Sequence, residues 1–223
     1  MTNNKKYIIQ TIVVGSLEVN CYLFTEISSG KTLIIDPGAD ASNIMREIES
    51  KSLIPVGIVN THGHVDHIGS NRELKDKYNI PIYVHTKDAE SLEDAFMNGS
   101  VLLGQEIVSP KADVLVEDGS SINVGDLKLE VIHTPGHTPG GICLMHEDVL
   151  FTGDTLFNGS IGRMDLNGGS EVEMIGSLSR LKNLSPELII FPGHGPASSI
   201  LGELESNPFF HSATDAADAD DDE

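Results

Sequence analysis

A chain of 223 residues with 39 % apolar and 22 % charged side chains has the composition of an ordinary soluble globule, long enough for one large domain or two small ones. Its formal charge of −20 argues against nucleic acid as a partner, because phosphate binding draws on clustered lysine and arginine. No apolar run approaches the roughly 18 residues that span a bilayer, and the two cysteines, Cys21 and Cys143, lie far apart in apolar surroundings, so buried thiols in a cytoplasmic, membrane-free protein are expected rather than a disulfide framework.

Lys5 and Lys6 precede "YIIQTIVV" (7–14), which Gln10 and Thr11 interrupt and which lacks a small-residue cleavage pattern; it predicts a first strand and not a signal peptide. Further strands are predicted at "NCYLF", "KTLIIDPG", "IPVGIVN", "IPIYV", "DLKLEVI", "GGICLM", "DVLFTG" and "ELIIF". Helical period appears over 41–52, 71–78, 86–97, 169–184 and 198–206. Strands in meandering groups with helices inserted predict two sheets packed face to face and covered outside by helices. Residues 1–212 read as one domain. The last eleven residues, "ATDAADADDDE" (213–223), hold six acidic groups and no large apolar one, which predicts a disordered, solubilising tail.

The chemistry concentrates at "THGHVDHIG" (61–69), which holds three of the nine histidines directly after the strand "IPVGIVN". On an extended segment side chains two apart point the same way, so His62 and His64 can converge on one point. A turn into helix near Asp66 would present Asp66 and His67 to a second point. Three more candidates stand where strands end in glycine turns: His137 in "HTPGHTPGG", Asp154 in "LFTGDTLF" and His194 in "IIFPGHGP", each directly after a glycine that can aim the next side chain. Singly, each could be a structural turn residue. Together, five histidines and two aspartates are too many for one tetrahedral ion and suit two, with His62, His64 and His137 on the first, Asp66, His67 and His194 on the second, and Asp154 between them. Imidazole and carboxylate ligands suit zinc first, with iron or manganese as alternatives.

Asp36 is a candidate partner for a ligand imidazole or a cap for the helix that starts near Asp40. Arg163, in the stretch that follows Asp154, is placed either to bind a substrate carboxylate or to pair with Asp165. His85, His133, His146 and His211 lack the repeated context and read as structural or exposed.

In their order, "NCYL", "IDPGAD", "THGHVDH", "TPGHTPGG", "GDTLF", "GRMDL" and "PGHG" resemble the metallo-β-lactamase superfamily and, within it, the short glyoxalase II-like hydroxyacylglutathione hydrolases. The resemblance implies an α+β fold, the four-layered αβ/βα sandwich, with the same seven ligands at one edge of the sheets. It implies hydrolysis of a small thioester such as S-lactoylglutathione by hydroxide shared between two divalent ions, with Asp66 and Asp154 at the reaction centre and Arg163 near the thiol. The chain ends at "NPFF" and the acidic segment, where long glyoxalase II enzymes continue into a helical domain. Asp154 stands where antibiotic-hydrolysing members place other residues, which argues against β-lactam hydrolysis. The alternatives are an iron-dependent persulfide dioxygenase, a lactone or phosphodiester hydrolase, and a non-catalytic module stabilised by metal.

Overall fold

The computed structural model describes residues 5–212. The segment 213–223, read above as a tail, lies outside the described residues. The first half of the chain lays down a six-stranded sheet in chain order: β1 (Tyr7–Val14), β2 (Val19–Glu26), β3 (Lys31–Ile35), β4 (Ile54–Val59), β5 (Ile82–His85) and β6 (Val114–Val116). The second half supplies β7 (Ser121–Val124), β8 (Leu127–His133), β9 (Ile142–His146), β10 (Val149–Gly153), a separate ribbon of β11 (Leu156–Phe157) and β12 (Ser160–Ile161), then β13 (Ile189–Pro192) and β14 (Ser198–Ser199). Its large sheet is ordered β14-β13-β10-β9-β8-β7.

Alternation along the strands explains the layers. In β2 and β3, Tyr22, Phe24, Leu33 and Ile35 face the second sheet, where they meet Leu129, Val131, Leu144 and Phe151. Their neighbours Cys21, Leu23 and Ile34 point outward, under Ile44 and Ile48 of helix α1 (Ala41–Ser50), Ile68 of α2 (Val65–Ile68) and Leu74 of α3 (Asn71–Tyr78). On the other side Ile132, Cys143 and Ile190 pack beneath Met174, Leu178 and Leu181 of α4 (Glu171–Lys182), Ile200 of α5 (Ile200–Ser206) and Phe210 of α6 (Pro208–Ser212). Strands buried on both faces read as continuous apolar runs, which is why they stand out in the sequence. Both cysteines are free and buried. The result is the four-layered αβ/βα sandwich.

The helix expected over 86–97 is absent. Two 3-10 turns, Thr86–Asp88 and Glu90–Leu92, replace it, and Asp94 Oδ1 then accepts from Phe96 N and Met97 N at 2.8 and 3.0 Å, a local turn that competes with helix. The segment 198–206 also divides: Ser198–Ser199 forms the edge strand β14, and Ser199 Oγ caps α5 by accepting from Gly202 N at 3.0 Å. Helix α1 stops at Ser50, two residues early, with Ser52 in the left-handed region. The expected list of elements lacked β6, β7, the β11–β12 ribbon and α6, all three to five residues or shorter or without a strong apolar period.

Strands β3 and β4 run parallel, as do β10 and β13, and β8 and β10 each run antiparallel to β9. The carboxyl ends of strands in both sheets therefore open at one edge, and the loops that leave them carry the candidate ligands.

Candidate metal centre

Strand β4 ends at Val59, and Asn60, fully buried, donates its amide to the His67 carbonyl at 2.9 Å, folding the next seven residues back on themselves. The chain bends at Thr61 and His62 and is extended at His64, the residue that precedes α2; the His62 and His64 rings lie edge to face with centroids 4.9 Å apart. The turn into α2 then sends Asp66 and His67 to a neighbouring point, as the spacing predicts. His137 arrives from the loop after β8, with its ring centroid 4.8 Å from His62 and 4.6 Å from His64.

Asp154 and His194 depend on their glycines. Gly153 adopts φ +47, and a side chain there would strike Thr61. At Gly193 a Cβ would fall on Asp154 Oδ1 and within 2.8 Å of His67 Cε1, so only a bare backbone lets the β13 turn approach the cluster. Asp154 consequently reaches both sides: Oδ1 lies 3.4 Å from His67 Nε2, and Oδ2 lies 3.6 Å from His137 Nε2 and 3.5 Å from His194 Nε2. Asp66 Oδ2 lies 3.4 Å from His194 Nε2.

All seven side chains come together in three sets whose ligand atoms lie within 4.8 Å of one another: His62, His64 and His137; Asp66, His67 and His194; and His62, His67 and Asp154. The first two are the sets read from the sequence, and the third places Asp154 across them.

The outward ring nitrogens are fixed by the protein. His137 Nδ1 donates to the Arg163 carbonyl at 2.7 Å and His194 Nδ1 to the Leu17 carbonyl at 3.0 Å. His67 Nδ1 faces Asp36 Oδ2 at 3.1 Å, and His62 Nδ1 donates to Thr61 Oγ1 at 3.2 Å, the hydroxyl itself donating to Asp36. Such contacts turn Nε2 of these rings inward, the arrangement of metal-binding histidines, and within the cluster His64 Nδ1 lies 2.9 Å from His137 Nε2. His62 Nε2, His67 Nε2 and Asp154 Oδ1 are buried without a hydrogen-bond partner, and orphaned acceptors of this kind are costly unless something electropositive satisfies them.

Charge tells the same story. Burial and the neighbouring His67 push His62 far below its ordinary value, and burial with His137 pushes His64 down to about 3. Burial opposes charge on His67, yet Asp154, Asp66 and Asp36 together lift it to about 10. Burial also resists ionisation of Asp66, but His67 and His194 hold its carboxyl below the usual range. Crowded imidazoles and carboxylates with such divergent demands are reconciled by cations, which favour neutral rings and ionised acids. The cluster fits a two-metal site.

Asp36 does not cap α1. Its oxygens accept from Thr61 N and Thr61 Oγ1, both at 2.7 Å, and its Oδ2 also faces His67; the residue at the helix start is Asp40, whose carboxylate accepts from Gly15 N at 2.8 Å. Arg163 has its guanidinium in a two-pronged pair with Asp165, 2.7 Å on each prong, while its backbone carbonyl orients His137.

Asp88 is the residue sequence reasoning missed. Fully buried, it accepts from Gly63 N at 2.9 Å and Thr138 Oγ1 at 2.7 Å on one oxygen and from Gly140 N at 2.6 Å on the other. It thereby ties the turn between His62 and His64 to the loop after His137. It sits inside the segment of helical period (86–97), which gives it no distinguishing context.

The other histidines stand apart from the cluster. His85 and His133 stack at 4.0 Å, His146 is buried beside Tyr7 and Phe24 with Nδ1 donating to the Lys128 carbonyl, and His211 is exposed on α6.

The ligands open into a cavity of about 360 Å³ whose walls include Leu17, Leu102, Leu103 and Leu166 as well as Asp66 and Arg163. No helix among the described residues is long and apolar enough to cross a membrane.

Residues 14–194 match the family model of the metallo-beta-lactamase superfamily. The probable metallo-hydrolase YqgX of Bacillus subtilis (strain 168) is 39 % identical over 202 residues, covering 89 % of this chain and 95 % of that protein. The hydroxyacylglutathione hydrolase GloC of Haemophilus influenzae is 32 % identical over 213 residues, covering 92 % and 98 %. Among solved structures, BLEG-1 B3 metallo-beta-lactamase superposes with a TM-score of 0.88 at 38 % identity, covering 91 % of this chain and 99 % of that one. TTHA1623 in a di-iron-bound form gives 0.81 at 33 % identity, covering 90 % and 99 %.

Proposed function

Because the chain belongs to the metallo-beta-lactamase superfamily, we propose that this metallo-hydrolase cleaves small-molecule thioesters of the hydroxyacylglutathione type. The observation that carries the reading is the convergence of His62, His64, Asp66, His67, His137, Asp154 and His194 in one cluster at the base of the pocket, with His62 Nε2, His67 Nε2 and Asp154 Oδ1 buried and unsatisfied. The relative GloC is described as acting on this substrate class, and it spans nearly the whole chain.

Two divalent cations held by those seven residues would supply Lewis acidity, drawing the pKa of water down towards about 7 and polarising a carbonyl oxygen. The protein's own part is positional. Asp154 fixes the spacing of the two ligand sets, and Asp36, Thr61 and the carbonyls of Arg163 and Leu17 hold the imidazoles in register. Asp66, at the pocket wall, can hold the proton released when a water oxygen bonds to the acyl carbon; the C–S bond breaks, and the departing thiolate recovers that proton. A cysteine nucleophile has no place in this scheme, since both thiols are buried in the core.

A second reading is favoured by the set His62, His67 and Asp154, two histidines and one carboxylate, the ligand type of ferrous oxygenases; TTHA1623, solved in a di-iron-bound form, supports iron as the metal to consider though not its number. This reading makes the protein an iron-dependent persulfide dioxygenase. BLEG-1 adds the β-lactam amide as a third substrate to assay, against the expectation drawn from Asp154.

The deciding experiment measures S-lactoylglutathione hydrolysis on protein of known metal content, beside oxygen uptake with glutathione persulfide and β-lactam turnover. Two ions per chain with thioester hydrolysis is the expected result. One iron with oxygen consumption, or turnover confined to β-lactams, overturns it.

A further inference from the structure

The pocket over the ligands continues past Asp66. A second cavity of about 140 Å³ shares Leu17, Val65, Asp66 and Leu103 with the first, so the two are chambers of one trough. Leu102 and Leu166 wall the near chamber, and Val14, Ala39 and Ile107 wall the far one, with Ser16 and Gln105 as its uncharged polar members. Arg163 is the lysine or arginine found among the lining residues, and Asp165 already engages its guanidinium.

Hydrogen bonds build this wall. The Asn98 carbonyl accepts from Val65 N at 2.9 Å, its amide donates to the Ile107 carbonyl at 2.8 Å, and its Oδ1 accepts from Ser100 N at 2.9 Å. Ser100 Oγ lies 3.2 Å from both Ile107 N and the Ile107 carbonyl. The apolar segment is thus fastened to α2, the helix that carries Asp66. Yet Leu102 and Leu103 are 74 % and 51 % exposed, and Leu17 opposite them is 46 % exposed. Apolar side chains held in water beside a polar centre mark a place where something apolar is to be covered.

We propose that the trough receives an unbranched aliphatic arm of the substrate, the acyl chain of a medium-chain thioester, which runs from the ligand cluster between Leu17 and Leu103 towards Ile107. The assignment rests on the thioesterase reading. Along the trough itself the walls are apolar and the guanidinium of Arg163 is already paired with Asp165, so this arm of the substrate finds no free lysine or arginine among the lining residues.

Two series on the full-length, metal-replete protein test this. Non-hydrolysable S-alkyl-N-acetylcysteamine thioethers, ethyl to octyl, are titrated by calorimetry, and the matching S-acyl thioesters are assayed for kcat/KM. Burial of each methylene predicts a Kd that tightens by about fourfold per carbon, with kcat/KM rising in step and octanoyl exceeding lactoyl. Leu103→Ser flattens both slopes, and Ile107→Trp ends the series at a shorter chain; an unchanged melting temperature verifies that each variant folds. A Kd independent of chain length, or a slope that neither substitution alters, overturns the trough assignment and leaves the hydrolase reading standing if thioesters are still cleaved. The expected binding slope without cleavage of any thioester overturns the hydrolase reading and, with it, the acyl chain as occupant.

Discussion

Asp154 is the side chain on which both ligand sets depend, because its two oxygens lie within 3.4 to 3.6 Å of three imidazoles. Asp154→Ala is expected to lose at least one of two ions and to reduce turnover by at least about 100-fold; metal analysis and rate measured on the same sample check this, and two retained ions with full activity would refute it. Asp88 acts one step away. In Asp88→Asn an amide replaces one acceptor oxygen among two backbone N–H groups and a hydroxyl, so the His62–His64 turn and the His137 loop lose their tie. Metal affinity should weaken by about 10- to 100-fold, read by competition with a chelating dye, while secondary structure persists. Arg163→Ala separates side chain from backbone: the carbonyl that orients His137 survives, so metal content should not change. Because the guanidinium is spent on an exposed ion pair, KM for an anionic thioester should rise by no more than about fivefold. A larger rise would show that the side chain leaves Asp165 for substrate.

At the level of elements, the site is made by turns that only glycine can close. Gly193→Ala would drive a methyl group into Asp154 Oδ1 and His67, and a cost of about 1–3 kcal/mol with loss of metal is expected, measured by urea unfolding and metal analysis. That is also why the site was legible before the structure. The glycines before His137, Asp154 and His194 mark strand ends in the sequence, and His62 and His64 meet as their spacing of two suggests, although a bend at Thr61 and His62 replaces the expected extended run. Strands β2, β3, β9 and β10 announced themselves because both faces are buried. Three features did not. Asp88 sits where the apolar period promised a helix, and its burial comes from hydrogen bonds to loops 25 and about 50 residues away, which no local pattern records. The carbonyls of Leu17 and Arg163 orient histidines through backbone atoms, so their side-chain identities carry no signal. Strands β6 and β7 are three and four residues long, too short for a period to show.

Across the whole molecule, stability should couple to metal and to acid. Ions bound to the folded state alone at about 1,000 times their dissociation constant stabilise it by about 4 kcal/mol, which in a chain of this size corresponds to a melting temperature lowered by roughly 8–16 °C on chelation; scanning calorimetry with and without chelator checks it. The link between the second sheet and its helices responds to pH. Arg180 on α4 pairs with Asp118, whose carboxylate also accepts from His133 N, and these partners hold its pKa below the ordinary range. A depressed carboxylate pKa means stability that is complete above the unfolded value near 3.9 and lost as pH falls through the folded one. Asp118→Asn should therefore unfold at lower urea than the parent at pH 7, and the difference should shrink at the acid limit.

Crystals of the metal-replete protein, measured for anomalous scattering at the absorption edge of the bound element, address the two-ion centre most directly. Two peaks are expected, one among His62, His64 and His137 and one among Asp66, His67 and His194, with Asp154 touching both. A single peak, or peaks away from those side chains, would contradict the account.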